Sequence, residues 1–279
     1  MTATPVPRRL YVYDDISEEL RAHGEGSRAH RLGQALVALL QQDPRVVLLT
    51  LEEQIEALIA RGPHAPFAVA IGIGRAGSRV AAEVHARTGW FPAIARVDIW
   101  REEDEAGGYT LAGPAPLASQ LGVAGNGDSL AVVDDTIFSG LTMRSVLAAL
   151  LPRPARRVHA FCLRGVAESV KAVARLAPVT AGVLAPGRML EDVSFINASG
   201  LIHRGAIRRA RRPPLAFFER PEWMAAWFSG YAGEAIALCR KLHEAVEAPP
   251  GDRAPRRRRG SPGPSPPPGS RRPGSSARR

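Results

Sequence analysis

The sequence predicts a doubly wound α/β protein, in which helices cover both faces of a parallel sheet. Short runs of Val, Ile, Leu and Ala recur along the chain, and segments with helical periodicity separate them. The runs are apolar throughout rather than alternating with polar residues, which is typical of strands buried on both faces. With 279 residues, of which 45% are hydrophobic, the chain can bury the core of one ordinary domain with additions.

The elements follow one another in a regular order. The expected strands are 9–13 (RLYVY), 45–50 (RVVLLT), 67–73 (FAVAIGI), 92–99 (PAIARVDI), 129–134 (SLAVVD), 157–163 (RVHAFCL) and 179–184 (VTAGVL). The expected helices are 28–42, 51–61, 76–88, 141–151 and 166–177. A strand that alternates with a helix in this way predicts parallel βαβ units. We expect the core of the domain over about 44–184.

A last helix is expected over 222–245. Apolar and aromatic residues recur there at three- and four-residue spacing: Met224, Trp227, Phe228, Tyr231, Ala235, Leu238 and Leu242. This spacing places them on one face of a helix. We expect the face to pack on the core, and the alternative is a dimer face, so a homodimer is possible.

Two segments break the alternation. Residues 100–128 form a long, polar segment that is rich in Gly and Pro. After Trp100 the segment reads REEDEAGGYTLAGPAPLASQLGVAGNGD. A loop of this length is typical of a functional lid or a disordered excursion. Residues 185–221 hold short scattered elements and the basic run HRGAIRRARRPP, residues 203–214. Together with the N-terminal segment, they are expected to form a small additional layer, a hood, over the core.

The charge lies mainly in the C-terminal tail. Residues 249–279 contain nine Arg and one Asp, so that they carry +8 of the net charge of +10. The tail is otherwise Pro, Gly and Ser without apolar periodicity, which predicts disorder. We therefore expect one domain over 1–248 and a disordered tail over 249–279. Arg256 to Arg259 could hold an acidic partner or nucleic acid, but a solvated tail without a specific role is the plainer interpretation.

Cysteine usage and hydropathy predict the compartment. Cys162 and Cys239 lie in apolar segments without metal-ligand spacing, which is typical of buried thiols in a reducing compartment. The first residues show no signal-peptide pattern, and no apolar run reaches the ~20 residues that span a bilayer. We expect a cytoplasmic protein that does not contact a membrane.

The most informative segment is Leu130 to Thr142, LAVVDDTIFSGLT. An apolar strand leads into two adjacent acids, and Ser139 and Gly140 then precede a helix. Paired carboxylates at a strand end can accept hydrogen bonds from a vicinal diol. The loop meets a helix N-terminus, where free N–H groups and the helix dipole favour a phosphate. A diol beside a monophosphate is found in ribose 5-phosphate.

This segment resembles the phosphoribosyl-pyrophosphate (PRPP) motif of the type I phosphoribosyltransferases. That motif has apolar residues, two acids, three variable residues, Thr or Ser, Gly, one residue and Thr, and Ser139 is a mild departure from the commoner Thr. The resemblance implies that Asp134 and Asp135 hold the ribose hydroxyls. It also implies that the rest of the motif wraps the 5-phosphate, namely Thr136, Ile137, Phe138, Ser139, Gly140, Leu141 and Thr142. It further implies Mg²⁺, held through PRPP without a direct protein ligand.

Two other interpretations of this segment remain. Adjacent acids also occur in phosphoacceptor domains, although there they follow the first strand and lack the S-G-x-T that follows here. Alternatively, Asp135 could cap the next helix, or Ser139 could be its N-cap.

A second glycine-containing stretch is A-I-G-I-G-R-A-G-S, residues 70–78. Gly72, Gly74 and Gly77 fit the G-x-G-x-x-G pattern of dinucleotide binding, and Asp98 lies roughly where a ribose ligand would be expected. In the family named above, a short loop after an earlier core strand binds pyrophosphate, and 74–77 resembles it. The resemblance implies a pyrophosphate site formed by Gly74, Arg75, Ala76 and Gly77. Arg suits phosphate because its donors form a planar fork.

The resemblance also implies roles for the lid and the hood. The lid candidates are Arg101 and Tyr109, in an otherwise acidic segment that departs from relatives with a lid Lys or Arg. The acceptor-binding candidates are Glu191, Asp192 and Phe195, although ordinary loop charges and a packed ring are equally compatible with their positions. No specificity signature identifies the acceptor.

The expected activity is transfer of the 5-phosphoribosyl group of PRPP to a nitrogenous acceptor, such as a nucleobase or related heterocycle, with release of pyrophosphate. The expected catalytic residues are Asp134, Asp135 and Arg75. The alternative is a PRPP-sensing regulator of the same fold that binds nucleic acid through its basic residues: Arg204, Arg208, Arg209, Arg211, Arg212 and the Arg-rich tail.

Overall fold

The computed structural model describes residues 6–122, 128–151 and 157–248. The chain divides into two units, Met1–Glu247 and Ala248–Arg279. The fold and the site belong to the first unit. The tail 249–279, for which the sequence predicts disorder, lies outside the described residues.

The described strands and helices follow the predicted order closely. The strands are β1 (Arg9–Tyr13), β2 (Val46–Leu49), β3 (Val69–Ile73), β4 (Ile94–Val97), β5 (Trp100–Glu103), β6 (Tyr109–Ala112), β7 (Ser129–Ile137), β8 (Arg157–Val166), β9 (Val179–Ala185), β10 (Val193–Asn197), β11 (Ile207–Arg209) and β12 (Arg212–Leu215). The helices are α1 (Ile16–Ala22), α2 (Arg28–Gln41), α3 (Leu51–Arg61), α4 (Gly74–Thr88), α5 (Leu117–Gln120), α6 (Leu141–Leu150), α7 (Ala167–Val173), α8 (Ala198–Ile202), α9 (Pro221–Trp227) and α10 (Ala232–Glu247).

The central layer is a five-stranded sheet in the order β4-β3-β7-β8-β9, and its paired strands are all parallel. Apolar residues of α3 and α4 pack on one face, against Ala131, Val133 and Phe161. Residues of α6 and α7 pack on the other face, against Val132 and Cys162. Both faces are therefore covered, which confirms the predicted α/β class with its parallel sheet.

The first two strands form a second sheet. β1 lies between β10 and β2, and both pairings are parallel. Helices α2 and α10 contribute to the apolar cluster beside it, with Leu36, Leu40 and Leu242 fully buried. The core was expected to begin near residue 44, but β2 lies outside the central sheet. The reason is that β1 pairs with a strand 184 residues further along the chain, as in Arg9 opposite Val193, and no local pattern reveals such a partner.

The two irregular segments form a third sheet, in the order β12-β11-β5-β6. Residues 100–112, expected as part of a long loop, form the antiparallel hairpin β5–β6. Asp104 closes its turn, because its carboxylate accepts from the N–H groups of Ala106 (2.9 Å) and Gly108 (2.8 Å). β11 then adds alongside β5. The hairpin of residues 100–112 thus shares a sheet with β11 and β12 of the expected hood, whereas β1 and β10 of that hood pair in the second sheet.

The helix expected over 222–245 is two helices. α9 ends at Trp227, and α10 begins at Ala232. Phe228 leaves the helical conformation (φ −120°, ψ 48°), and Ser229 and Gly230 follow it, which are poor helix formers. The aromatic stripe nevertheless packs on the core as expected, since Met224, Phe228 and Ala235 are fully buried there. The expectation of a homodimer stays a prediction.

The two cysteines are both buried and lie in different apolar clusters, so they are not partners in a disulfide. Burial raises the pKa of the Cys239 thiol to about 12 and raises that of Cys162 further. This confirms the prediction of buried thiols.

None of the helices in the described part of the chain combines the length and the apolar character needed to span a bilayer.

Candidate active site

A cavity of about 520 Å³ opens at the carboxyl ends of β3 and β7. From β3 the sheet continues outward to β4, and from β7 it continues the other way to β8 and β9. The winding direction therefore changes between β3 and β7. In open α/β sheets, ligands bind in the crevice at such a point, because the loops that follow the two strands diverge there.

Each of the two strands leads through a left-handed glycine into a helix. Gly74 (φ 60°) follows β3 and begins α4, and Gly140 (φ 72°) is the N-cap of α6. Glycine adopts this conformation without a Cβ penalty. The first N–H groups of a helix have no partner within the helix and can bind an anion. Two such helix N-termini meet at this cavity. Gly74, Arg75, Ala76 and the motif residues 134–142 line it.

The predicted pyrophosphate loop is already helical. α4 begins at Gly74, two residues before the expected start, so that 74–77 is its first turn. Gly77 does not line the cavity and instead permits close packing, because a Cβ at this position would lie 2.2 Å from the carbonyl oxygen of Val133. The third glycine of the G-x-G-x-x-G pattern thus lets α4 rest on β7.

The two acids lie where β7 extends beyond its pairing with β3 and pairs with β8 alone. The pairing with β3 ends at Gly72 opposite Val133, whereas the pairing with β8 continues to Ile137 opposite Gly165. The strand therefore runs beyond Asp135, three residues past its expected end at Asp134. Both Asp134 and Asp135 line the cavity, although strand alternation directs them to opposite faces.

Asp135 is held by a buried arginine. Arg164 on β8 is fully buried and donates from Nη2 to the Asp135 carboxylate at 2.9 Å. It also donates to Gln54 Oε1 (3.0 Å) and Asn197 Oδ1 (2.8 Å), and its guanidinium carbon lies 4.6 Å from the centre of the Tyr13 ring. This network joins the central sheet to α3 and to the three-stranded sheet.

Asp135 also accepts a hydrogen bond from Thr136 Oγ1 at 3.0 Å. Its carboxylate makes no cap on α6, whose N-cap is Gly140, and Ser139 Oγ accepts from the Leu141 N–H over a long 3.4 Å. The helix-cap interpretation of these residues is therefore wrong.

Asp134 has a different environment. Burial, and then the neighbouring charge of Asp135, raise the pKa of the Asp134 carboxyl well above its usual range, and the charge of Arg101 partly offsets this. The backbone N–H of Asp135 donates to Asp134 Oδ1 at 2.9 Å. The two adjacent acids thus have different environments, since one pairs with a buried arginine and burial raises the pKa of the other.

Four arginines also line the cavity. Arg96 is neutralised by Asp98, to which its Nε donates at 2.7 Å. Arg75, Arg101 and Arg208 form no ion pair with any residue in the described ranges. Arg101 lies between two rings, 5.7 Å from the centre of Tyr109 and 5.8 Å from that of Phe138. The cavity is therefore equipped for anions at several points of its wall.

Other predicted site residues lie outside the cavity wall. Glu191 pairs with Arg188, and Asp192 accepts from the Arg188 N–H at 2.9 Å. Phe195 is buried and stacks on Tyr11, with ring centres 4.9 Å apart. These three side chains are occupied in building the loop before β10 and the second sheet. Tyr109 contributes its ring to Arg101 but does not line the cavity itself.

The arginines of the basic cluster 204–212 make different contacts. Arg204 forms an ion pair with Glu219, and Arg209 donates to the carbonyl oxygen of Pro213 at 2.8 Å. Arg208 faces the cavity, where its guanidinium carbon lies 4.4 Å from the centre of the Trp100 ring.

Sequence reasoning missed Arg164, Trp100, Arg96 and the cavity position of Arg208. Only Arg164 carries a local signal, because a charged residue interrupts the apolar run FCLRGV at 161–166. A buried charge needs partners, so this arginine could have been flagged as part of a network.

No family model matches the sequence, and no curated protein is similar enough to count as a match. Solved structures of similar fold include a hypothetical protein from Neisseria gonorrhoeae with bound ppGpp (19% identity, TM-score 0.39, 53% of this chain and 85% of that chain). They also include a purine phosphoribosyltransferase from Pyrococcus horikoshii (18%, 0.35, 53% and 91%). A third is the xanthine-guanine-hypoxanthine phosphoribosyltransferase of Helicobacter pylori (13%, 0.33, 52% and 86%). Each likeness covers about half of this chain, and none assigns an activity to it.

Proposed function

We propose that this protein transfers the 5-phosphoribosyl group of PRPP to a nitrogenous acceptor and releases pyrophosphate. One observation carries the proposal: the motif 134–142 and the helix start at 74–76 form walls of one cavity at the switch point of the sheet. A sugar that bears phosphate on both sides needs two anion sites with hydroxyl acceptors between them. The N-termini of α6 and α4 supply the two anion sites, and Asp134 and Asp135 supply the hydroxyl acceptors between them.

In this proposal, the 5-phosphate lies against the first turn of α6 and the pyrophosphate lies against that of α4 and Arg75. The bond between C1′ and the pyrophosphate oxygen breaks, a bond between C1′ and the acceptor nitrogen forms, and the proton of that nitrogen passes to solvent. Negative charge grows on the leaving pyrophosphate and is stabilised by Arg75 and the helix N–H groups. Asp134 and Asp135 orient the ribose and offset the positive charge of its ring.

Mg²⁺ belongs to the proposal as a companion of PRPP. Within the described ranges, no group of three or more His, Cys, Asp or Glu side chains is arranged to hold a metal. The donor set near Asp134 is compatible with an ion held mainly by phosphate and hydroxyl oxygens, as is usual for Mg²⁺ with phosphate substrates. The ion would neutralise pyrophosphate charge.

The test is PRPP binding by calorimetry with Mg²⁺, followed by pyrophosphate release over a panel of heterocyclic bases. We expect wild type to bind PRPP and to release pyrophosphate with at least one acceptor. Arg75→Ala should weaken pyrophosphate binding about tenfold and ribose 5-phosphate binding much less. Arg87→Ala, at the far end of the same helix, is the matched control and should leave both unchanged. Equal weakening of both ligands by Arg75→Ala would contradict the role given to α4.

Binding of PRPP without turnover would favour the alternative, a regulator that senses PRPP. For such a regulator, we also expect residues 1–248 alone to bind RNA or DNA with an affinity that falls as the salt concentration rises.

A further inference from the structure

The ion pair between Asp135 and Arg164 uses only one oxygen of the carboxylate. Arg164 Nη2 donates to Asp135 Oδ2 at 2.9 Å, and Thr136 Oγ1 donates to the same oxygen at 3.0 Å. The other oxygen, Oδ1, accepts from no backbone, hydroxyl or basic group in the described part of the chain. Arginine and carboxylate frequently pair through two parallel hydrogen bonds, but this pair is monodentate.

Two neutral side chains hold the guanidinium in this geometry. Gln54 Oε1 accepts from Nη1 of Arg164 at 3.0 Å, and Asn197 Oδ1 accepts from Nη2 at 2.8 Å. Since Nη2 carries two hydrogens, the bonds to Asn197 and Asp135 use both of them. Gln54 is itself fixed, because it is fully buried and its Nε2 donates to the carbonyl oxygen of Thr50 at 2.7 Å.

The monodentate pair leaves a buried donor without a partner. Arg164 Nε makes no hydrogen bond within the described ranges. A carboxylate turned toward the arginine with both oxygens could satisfy that donor, and an unsatisfied buried N–H group costs free energy. The pair therefore stays open only because Gln54 and Asn197 fix the position of the guanidinium.

The open oxygen belongs to the accessible member of the pair. The side chain of Asp135 is 23% exposed and lines the cavity, whereas that of Arg164 is 1% exposed. A carboxylate oxygen that receives no donor from the protein can accept from a ligand hydroxyl. The network thus holds Oδ2 and leaves Oδ1 as an acceptor at the cavity wall.

We propose that Gln54 and Asn197 are positioning residues for phosphoribosyl transfer, because they keep the Arg164–Asp135 pair monodentate and Oδ1 available to one ribose hydroxyl. This inference rests on the proposed function and adds residues of α3 and β10 to it. Neither side chain lines the cavity, so each acts through Arg164. When either acceptor is removed, the guanidinium turns, Oδ1 pairs with its released donors, and the ribose hydroxyl loses its acceptor.

The experiment compares three sugars by calorimetry: ribose 5-phosphate, 2-deoxyribose 5-phosphate and 3-deoxyribose 5-phosphate. All three carry the 5-phosphate, so the ratio of their affinities isolates the hydroxyl groups. Wild type should bind ribose 5-phosphate about tenfold or more tightly than at least one of the deoxy sugars, since the lost hydrogen bond is to an ion-paired carboxylate. Asn197→Leu and Gln54→Met should lower this ratio to about threefold or less. Asn197→Asp keeps an acceptor oxygen on a side chain of the same size and should keep most of the ratio.

The matched control is Ser194→Ala. Ser194 is buried in the same strand as Asn197, and its Oγ has no partner among the described residues. This variant should keep the wild-type ratio. If Asn197→Leu weakens all three sugars alike, the role of Asn197 is structural only and the inference is overturned, as it is if the variant leaves every affinity unchanged.

A crystal structure of the wild-type protein with ribose 5-phosphate tests the geometry even if Asn197→Leu does not fold. We expect one ribose hydroxyl about 2.7 Å from Asp135 Oδ1, with Arg164 on Oδ2. A hydroxyl bound to Oδ2, or none bound to Asp135, overturns the inference and leaves the proposed function standing. Failure of the proposed function has a different signature: wild type then binds neither PRPP nor ribose 5-phosphate, and the inference falls with it.

Discussion

At the scale of single residues, the site depends on the different treatment of two adjacent acids. Asp135 forms an ion pair with the buried Arg164, whereas burial raises the pKa of the Asp134 carboxyl. The sequence DD shows neither property, because both arise from side chains distant in the chain.

The first prediction concerns Asp134→Asn. Because the folded protein raises the pKa of this carboxyl, the ionised form lowers stability above that pKa, and the effect disappears below the unfolded value near pH 4. The variant should therefore be more stable than wild type at pH 7, by about 1 kcal/mol, and equal to it at about pH 3.5. Denaturant unfolding across this pH range measures the difference.

The same variant should lose PRPP binding, because the amide cannot replace the carboxylate toward the ribose. Asp98→Asn is a control, since Asp98 lines the cavity but is paired with Arg96. A stable Asp134→Asn protein that binds PRPP as tightly as wild type does would contradict the proposed role of the acid pair.

The second prediction concerns Arg164. Arg164→Met leaves Asp135, Gln54 and Asn197 without their shared donor, and it should lower the free energy of unfolding by about 3–5 kcal/mol. Asp135→Asn should also destabilise the fold, because it leaves a buried guanidinium unpaired.

A double-mutant cycle checks the pair. In Arg164→Met with Asp135→Asn, we expect a coupling free energy of about 2 kcal/mol, measured by urea unfolding. Strictly additive single effects would show that the 2.9 Å contact contributes nothing specific.

At the scale of elements, the cavity is made by two strand-to-helix units with the same construction. β3 leads through Gly74 into α4, and β7 leads through Gly140 into α6. The positions of these helix starts depend on how tightly α4 packs on β7. Gly77 permits that contact, so the packing of one helix determines where a pair of anion-binding ends can meet.

The third prediction compares three glycines. Gly77→Ala should lower the free energy of unfolding by about 2–4 kcal/mol, because its Cβ would lie 2.2 Å from the Val133 oxygen and α4 must move. Gly74→Ala meets no atom within 4 Å but needs φ 60°, and it should lower stability by about 1–2 kcal/mol. PRPP affinity should fall in both.

The control is Gly233→Ala in α10, where the added Cβ meets nothing within 4 Å and φ is not positive. It should stabilise the protein by about 0.5 kcal/mol without changing ligand binding. If Gly77→Ala is no more harmful than Gly74→Ala, the close packing of α4 on β7 is not needed.

At the scale of the whole molecule, the described part of the chain is one unit built from three sheets. Its four apolar clusters use residues between Leu10 and Val246. The hairpin of the mixed sheet is tied to the C-terminal region by the ion pair of Glu103 with Arg220. The cavity lies where the central and mixed sheets meet, so its two sides come from different layers.

The fourth prediction is a truncation. Because the apolar clusters end before residue 248, a chain of residues 1–248 should keep the melting temperature of the full chain within about 2 °C and keep its affinity for PRPP. Differential scanning calorimetry and binding calorimetry measure both quantities. Loss of more than about 4 °C would show that the tail contributes to the fold.

The sequence by itself determined the order of strands and helices and the α/β class, because period and apolar character are local properties. It also pointed to 74–76 and 134–142, since a strand, a glycine and a helix start are contiguous in the chain. Only the tertiary structure decided that Arg164 holds Asp135, that the β5–β6 hairpin shares a sheet with β11 and β12, and that Arg208 lines the cavity beside Trp100. Those contacts join residues 29 to 108 positions apart, and their formation depends on sheet order and on burial, which no local pattern encodes.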